Sequence, residues 1–176
     1  ITYQSDTNYQ QEIETELKKV DQSLSPFNKT SVITQVNQGK DIEVDEMFTE
    51  VFRMAESISK ETNGAFDITV APMVNLWGFG FKQGVPPTKA KIDSIKTLVG
   101  YEKVALEKGR IIKQNPKIML DCSAIAKGYG SDIVARFLKK KGISNFMVEI
   151  GGEIVVNGVS EKQVPWHIGI NKPTDD

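Results

Sequence analysis

The stretch LDCSAIAKGYGSD, Leu120 to Asp132, holds a carboxylate (Asp121), a thiol (Cys122), a hydroxyl (Ser123), a lone lysine (Lys127) and two glycines (Gly128, Gly130). Upstream, KIML reads as a short buried strand. Downstream, Ile133, Val134, Phe137 and Leu138 recur at helical spacing until Gly142. The polar residues therefore fall at the end of a strand and the start of a helix, where unpaired backbone N–H groups and the positive end of the helix dipole favour anions. Lys127 lies early in that helix, where the dipole disfavours a cation, so an anionic ligand explains it better than surface packing does. Gly128 and Gly130 each cost roughly 1 kcal/mol in a helix interior relative to Ala, which points to close approach of a ligand or another backbone. Cys122 points away from Asp121 if the strand continues, and it reads as a small buried apolar residue.

The elements that must position this stretch alternate between helical and strand patterns, without repeats. Ile13, Leu17, Val20 and Leu24 line one face of a first helix, ended by Ser25-Pro26. A second helix takes Asp45 as N-cap, has Met47, Val51, Ala55 and Ile58 as its apolar stripe, and stops at Asn63-Gly64. A third, shorter helix runs from about Thr88 to Leu98. KVALE and RIIKQ flank Lys108-Gly109 as a hairpin. NFMVEI, EIVVNG and WHIGI follow as strands, with Trp166, Ile168 and Ile170 alternating in the last. The mixture predicts an α+β fold, with a mostly antiparallel sheet and packed helices. Between Asn63 and Thr88, NGAFDITVAPMVNLWGFGFKQGVPPT reads as a long loop held by aromatic residues, as functional loops are. Phe66, Trp77, Phe79 and Phe81 can equally fill core.

Composition narrows the class of function. A chain of 176 residues, 39% hydrophobic and 26% charged, can bury a substantial core without disulfides or structural metal. A net charge of −1 and a pI near 6.0 exclude nucleic acid as the main partner, which would need a concentrated basic face. The basic run at Lys139–Lys141 complements the end of its own helix instead. One cysteine excludes an internal disulfide and a thiolate zinc cage. His167, alone on a strand, reads as structural or exposed. No apolar run is long enough to span a bilayer, and the chain opens on ITYQSD with neither Met nor a basic-then-apolar leader, as a processed N-terminus would.

Several of these stretches, in this order and at close to these spacings, resemble the motifs of the ApbE proteins, FAD:protein FMN transferases. GAFDITVAPMVNLWGFG is similar to that family's aromatic, Asp, Thr-Val, Pro and WGFG-like segment, and LDCSAIAKGYGSD to its DLGGIAKGYAVD motif. VEIGGEIVVNG resembles its Gly-Gly motif, LSPFNKTSVITQVN its early aromatic, serine and asparagine segment, and PWHIGINKPTDD the strand after the glycines. The resemblance implies an ApbE-like, T-fold-related architecture. It also implies a single flavin-binding region over residues 1–176 that stands for the first half to two thirds of a longer protein, incomplete on its C-terminal side.

The implied chemistry is Mg²⁺-dependent transfer of FMN from FAD to a Ser or Thr hydroxyl of an acceptor flavoprotein, with AMP as leaving group. The alternatives within the resemblance are hydrolysis of FAD to FMN and AMP, or flavin binding alone. The implied setting is the periplasm, with a membrane contact only through an N-terminal lipid anchor outside this chain. Such phosphoryl transfer rests on positioning and electrostatics. Asp121 and Lys127 are then the catalytic candidates. Asp121 would accept hydrogen bonds from an isoalloxazine edge or orient the metal; as a helix cap it would be displaced two residues from Ser123, the expected N-cap. Flavin contacts fall to Phe27, Asp67, Trp77, Gly78, Asp121, Ser123, Lys127, Gly128, Glu149, Gly151 and Gly152, and the backbone carbonyl of Ala124 would face Mg²⁺. Asp67 could equally cap its loop, and Glu149 with Gly151-Gly152 could equally be an exposed strand residue beside a bulge.

Overall fold

The computed structural model describes residues 1–78 and 86–170, so Phe79, Phe81 and the closing NKPTDD lie outside the described residues. Along the chain run β1 (Thr2–Tyr3), α1 (Gln10–Leu24), α2 (Val32–Asn37), α3 (Glu46–Glu61), α4 (Ala71–Leu76), α5 (Lys89–Lys96), β2 (Val104–Glu107), β3 (Arg110–Lys113), α6 (Ser123–Lys140), β4 (Phe146–Ile150) and β5 (Glu153–Asn157). Short 3₁₀ turns occupy Ile68–Val70 and Tyr101–Lys103. Every pairing between these strands is antiparallel, and with the helices this makes the α+β class expected from the pattern. No described helix is long and apolar enough to cross a membrane. The chain divides into two compact units, Ile1–Leu17 with Lys127–Asp176, and Lys18–Ala126.

The first unit is built on a three-stranded sheet in the order β1-β4-β5. Residues Gly151 and Gly152, with φ of 58° and 92°, make a two-residue turn between β4 and β5, so that Ile150 faces Glu153 across it. Two successive left-handed residues match the twist of a hairpin, and only glycine adopts them freely. The pair is therefore a tight turn and not a bulge. Phe146 and Val148 point from β4 into a core shared with Ile13, Val134, Ala135, Leu138 and Ile143, while Glu149 beside them is exposed. Helices α1 and α6 supply the apolar stripes that cover the sheet, as their 3.6-residue spacing requires. Lys141, at the end of the basic run, places its ammonium 5.1 Å from the Tyr9 ring and 5.3 Å from that of Phe137.

The expected strand at WHIGI is absent: residues 166–170 pair with no strand among the described residues, and Ile170 is 92% exposed. Alternation of Trp166, Ile168 and Ile170 states a preference for a half-buried strand, but a strand also needs a neighbour to satisfy its backbone. Trp166 is tied down by its Nε1, which donates to the Asn157 carbonyl at 3.1 Å. His167 is exposed.

In the second unit the carboxylate of Asp45 caps α3, accepting from Phe48 N at 2.7 Å and from the buried Ser23 hydroxyl at 2.7 Å. Phe48, Val51, Phe52 and Ala55 of α3 are buried. Its end at Asn63-Gly64 has the left-handed φ of 51° and 79° expected from those residues. Lys108 and Gly109 turn the β2–β3 hairpin with φ of 48° and 75°.

Two helices escape the periodicity. α2 is six residues rich in Val, Ile and Thr, which disfavour helix. It stands because Ser31 accepts Thr34 N at 3.2 Å and Ile33 and Val36 are buried. α4 lies in the stretch read as a loop. Pro72 looks like a breaker there, yet it sits in the first turn, where no intrahelical donor is lost.

Candidate functional site

The second unit contains a cleft of about 470 Å³ lined by Pro26, Phe27, Thr34, Asn37, Gln38, Ala71, Val74, Asn75, Met119, Leu120, Asp121 and Ser123. Its residues come from the turn before α2, from α2 and its cap, from α4, and from the segment that leads into α6. This size suits a drug-sized or nucleotide-sized ligand. Phe27 is 77% exposed, an aromatic face left at the rim rather than packed into core. The polar side chains of Thr34, Asn37, Gln38, Asn75, Asp121 and Ser123 add donors and acceptors to a wall whose apolar part comes from Pro26, Ala71, Val74, Met119 and Leu120. A flat, partly apolar ligand with a hydrogen-bonding edge fits that chemistry.

The segment that carries Asp121 is not the strand that KIML foretold. Ile118, Leu120 and Cys122 alternate into the interior at 0%, 1% and 1% exposure, but residues 118–122 join no sheet. Leu120 instead exchanges both backbone hydrogen bonds with the side chain of Asn37: its N–H donates to Oδ1 and its carbonyl accepts from Nδ2, each at 2.8 Å. Asp121 N then donates to the Ile68 carbonyl at 2.8 Å. Leu120 and Asp121, adjacent on this extended backbone, thus find separate partners.

Asp121 opens α6. Its Oδ1 accepts Ser123 N at 2.7 Å, while the Cys122 carbonyl accepts from Ile125 N at 2.9 Å and Ala126 N at 2.8 Å. Ser123 is therefore the first helical residue and not the cap, and the capping carboxylate is Asp121, two residues earlier. Asp121 combines that role with a place in the cleft lining, and its second oxygen has no hydrogen-bond partner among the described residues. Burial pushes the Cys122 thiol up to about 12, with the Asp121 charge adding to the shift, so the thiol stays neutral and inert at physiological pH.

Asp67 lies next to the cleft, as the cap that one reading gave it. Its Oδ1 accepts from Thr69 N at 2.7 Å and from the Thr69 hydroxyl at 2.6 Å, and its Oδ2 accepts from Tyr101 N at 2.8 Å. The fully buried Thr69 oxygen in turn accepts Gly100 N at 2.7 Å. This clamp fixes the turn whose Ile68 carbonyl holds Asp121. Trp77, 51% exposed, ends α4, and Gly78 follows with φ of 81°; neither lines the cleft.

Lys127, Gly128, Glu149, Gly151 and Gly152 belong to the first unit. The exposed Lys127 donates to the Gly151 carbonyl at 3.2 Å. A Cβ on Gly151 would come 2.8 Å from Cδ of Lys127, so the stem of that lysine is what approaches this glycine. A Cβ at Gly128 or at Gly152 would meet nothing within 4 Å, and one at Gly130 would make ordinary contact with Ile150 and Leu17. Gly130 therefore admits a methyl without displacing a neighbour.

Ala124 is exposed in the first turn of α6, and no three His, Cys, Asp or Glu cluster among the described residues. Sequence reasoning also missed Asn37, Gln38, Asn75 and Met119. Asn37 closes the quoted early segment, but its task depends on a partner 83 residues away.

The ApbE family pattern matches residues 1–176. The chain is 39% identical over 172 residues to the FAD:protein FMN transferase of Vibrio cholerae, covering 95% of this chain and 52% of that protein. It is 39% identical over 184 residues to that of Haemophilus influenzae, covering 99% and 53%. Among solved structures, the flavin transferase ApbE from Vibrio cholerae superposes with a TM-score of 0.90 at 37% identity, over 97% of this chain and 57% of that one. The apo flavinyl transferase ApbE of Pseudomonas stutzeri gives 0.86 at 30% identity, over 96% and 57%. The chain thus spans about half the length of the curated relatives it matches. With the family pattern running from the first residue to the last and the same fold found in its solved members, the chain belongs to the ApbE family.

Proposed function

We propose that the protein carrying this chain transfers FMN from FAD to a Ser or Thr hydroxyl of an acceptor flavoprotein. The observation that carries this reading is the cleft beside the start of α6, where Phe27, Gln38, Asn75 and Asp121 offer an aromatic face and a polar edge for an isoalloxazine ring. In the reaction the acceptor hydroxyl oxygen bonds to the FMN phosphorus, the bond from that phosphorus to the AMP oxygen breaks, and AMP leaves while the hydroxyl proton passes to a base. Charge on the diphosphate must be neutralised, which is the part proposed for Mg²⁺ and for Lys127. A bound Mg²⁺ would supply that neutralisation, with Asp121 and the backbone carbonyl of Ala124 as the groups of this chain that would face it. Lys127 uses one ammonium proton on the Gly151 carbonyl and keeps two for phosphate oxygens.

Lys127→Met in the full-length protein tests the reading. Losing a charge-assisted hydrogen bond, worth roughly 1.5 to 3 kcal/mol, lowers FAD affinity by about tenfold to a hundredfold in calorimetric titration. Riboflavin affinity stays the same. The unliganded melting temperature barely moves, because the bond to Gly151 is exposed. Equal wild-type affinity for FAD and riboflavin would refute diphosphate recognition. Release of FMN and AMP at the same rate with and without acceptor would make the protein a hydrolase.

A further inference from the structure

The bidentate bond between Asn37 and Leu120 does something that a strand neighbour would not. A sheet satisfies a buried backbone by pairing many residues at once, and small shifts are shared along the ladder. Here one amide, which carries a donor and an acceptor side by side, meets the N–H and carbonyl of a single residue that is 1% exposed. Neither a carboxylate nor an aliphatic side chain can make both bonds. Asn37 is itself held in place, as the last residue of α2, whose Val36 carbonyl accepts from Lys113 Nζ at 2.7 Å. That lysine is half-buried, and burial lowers its pKa, so it is no free surface charge. The residue after Leu120 is Asp121, which lines the cleft and whose carboxylate starts α6.

We propose that Asn37 is a positioning residue: through the backbone of Leu120 it sets where the Asp121 carboxylate stands in the cleft, and so how well a flavin ring is held. This rests on the reading of the cleft as the flavin site. The action is indirect, and a double-mutant cycle separates it from plain stabilisation.

The experiment titrates riboflavin, which reports on the ring without the diphosphate, into the full-length protein and its Asn37→Ala, Asp121→Ala and double variants, well below each melting temperature. Asp121→Ala and Asn37→Ala each weaken binding about tenfold, and the double variant is again about tenfold weaker than wild type, because Asn37 has nothing left to position. A hundredfold loss in the double variant, the product of the single effects, overturns the proposal, since Asn37 would then act independently of Asp121. Unchanged binding in Asp121→Ala overturns it as well, and marks the flavin reading of the cleft as the part that failed. If Asn37→Ala does not fold, Asn37→Asp replaces it: it keeps an acceptor for Leu120 N–H, loses the donor to the carbonyl, and carries the same prediction in the same cycle.

Discussion

Asp67→Ala lowers the stability of the unliganded protein by about 2–4 kcal/mol, since three donors lose a charged acceptor and Tyr101 N is left without its partner. For a chain of this size each 1 kcal/mol moves the melting temperature by roughly 2–4 °C, so a thermal melt should fall by roughly 4–16 °C. Asp67→Asn should lose less, because its amide oxygen still accepts from Thr69 while its NH₂ turns a donor toward Tyr101 N. The comparison bears on function. An acidic residue kept for a ligand costs little in the empty protein when removed, and an unchanged melting temperature for Asp67→Ala would return Asp67 to that role. The clamp geometry argues the other way, and under the proposed flavin reading an effect of Asp67 on binding would pass through the Ile68 carbonyl that holds Asp121.

Phe146→Ala has the larger effect, about 3–5 kcal/mol, the usual cost of removing a fully buried aromatic ring. Phe146 stands on the central strand of its sheet, opposite Tyr3 on one side and Asn157 on the other, and its ring belongs to the cluster with Ile13, Val134 and Leu138. No single neighbour can collapse into the space, because strand and helix residues line it together. Urea denaturation should show the midpoint displaced to lower concentration with little change in slope. A loss under about 1 kcal/mol would mean that this core repacks freely, contrary to the close packing of protein interiors.

What the sequence revealed depended on whether the cause was local. Asp45 capping α3, the left-handed turn at Lys108-Gly109 and the stripe Ile13, Leu17, Val20 and Leu24 are decided within one or two turns of chain, and they stand as read. The segment at Ile118–Leu120 shows the opposite case. Its short apolar run announced a buried strand, but whether extended backbone becomes sheet depends on what lies beside it, and here a side chain from α2 does. Ile168 and Ile170 failed for the same reason, with no strand beside them among the described residues. α2 was hidden by β-branched residues whose intrinsic preference gives way to capping and burial. Of the residues that line the cleft, Asp121 and Ser123 were singled out by the polar cluster at a helix start, and Phe27 only through the family resemblance. Gln38, Asn75 and Met119 were not, since nothing in an ordinary amide or thioether announces that it borders a cleft.

The two adjacent amides of Leu120 and Asp121 are tied to different parts of the molecule, one to the tip of α2 and the other to the turn capped by Asp67. A helix of six residues has almost no stability of its own, so α2 opens whenever its cap or its buried face lets go. In deuterated water the Leu120 proton should then exchange on the timescale of α2 fraying, and the Asp121 proton on that of the 67–69 turn. Two neighbouring protons thus become separate clocks, one for α2 and one for the 67–69 turn.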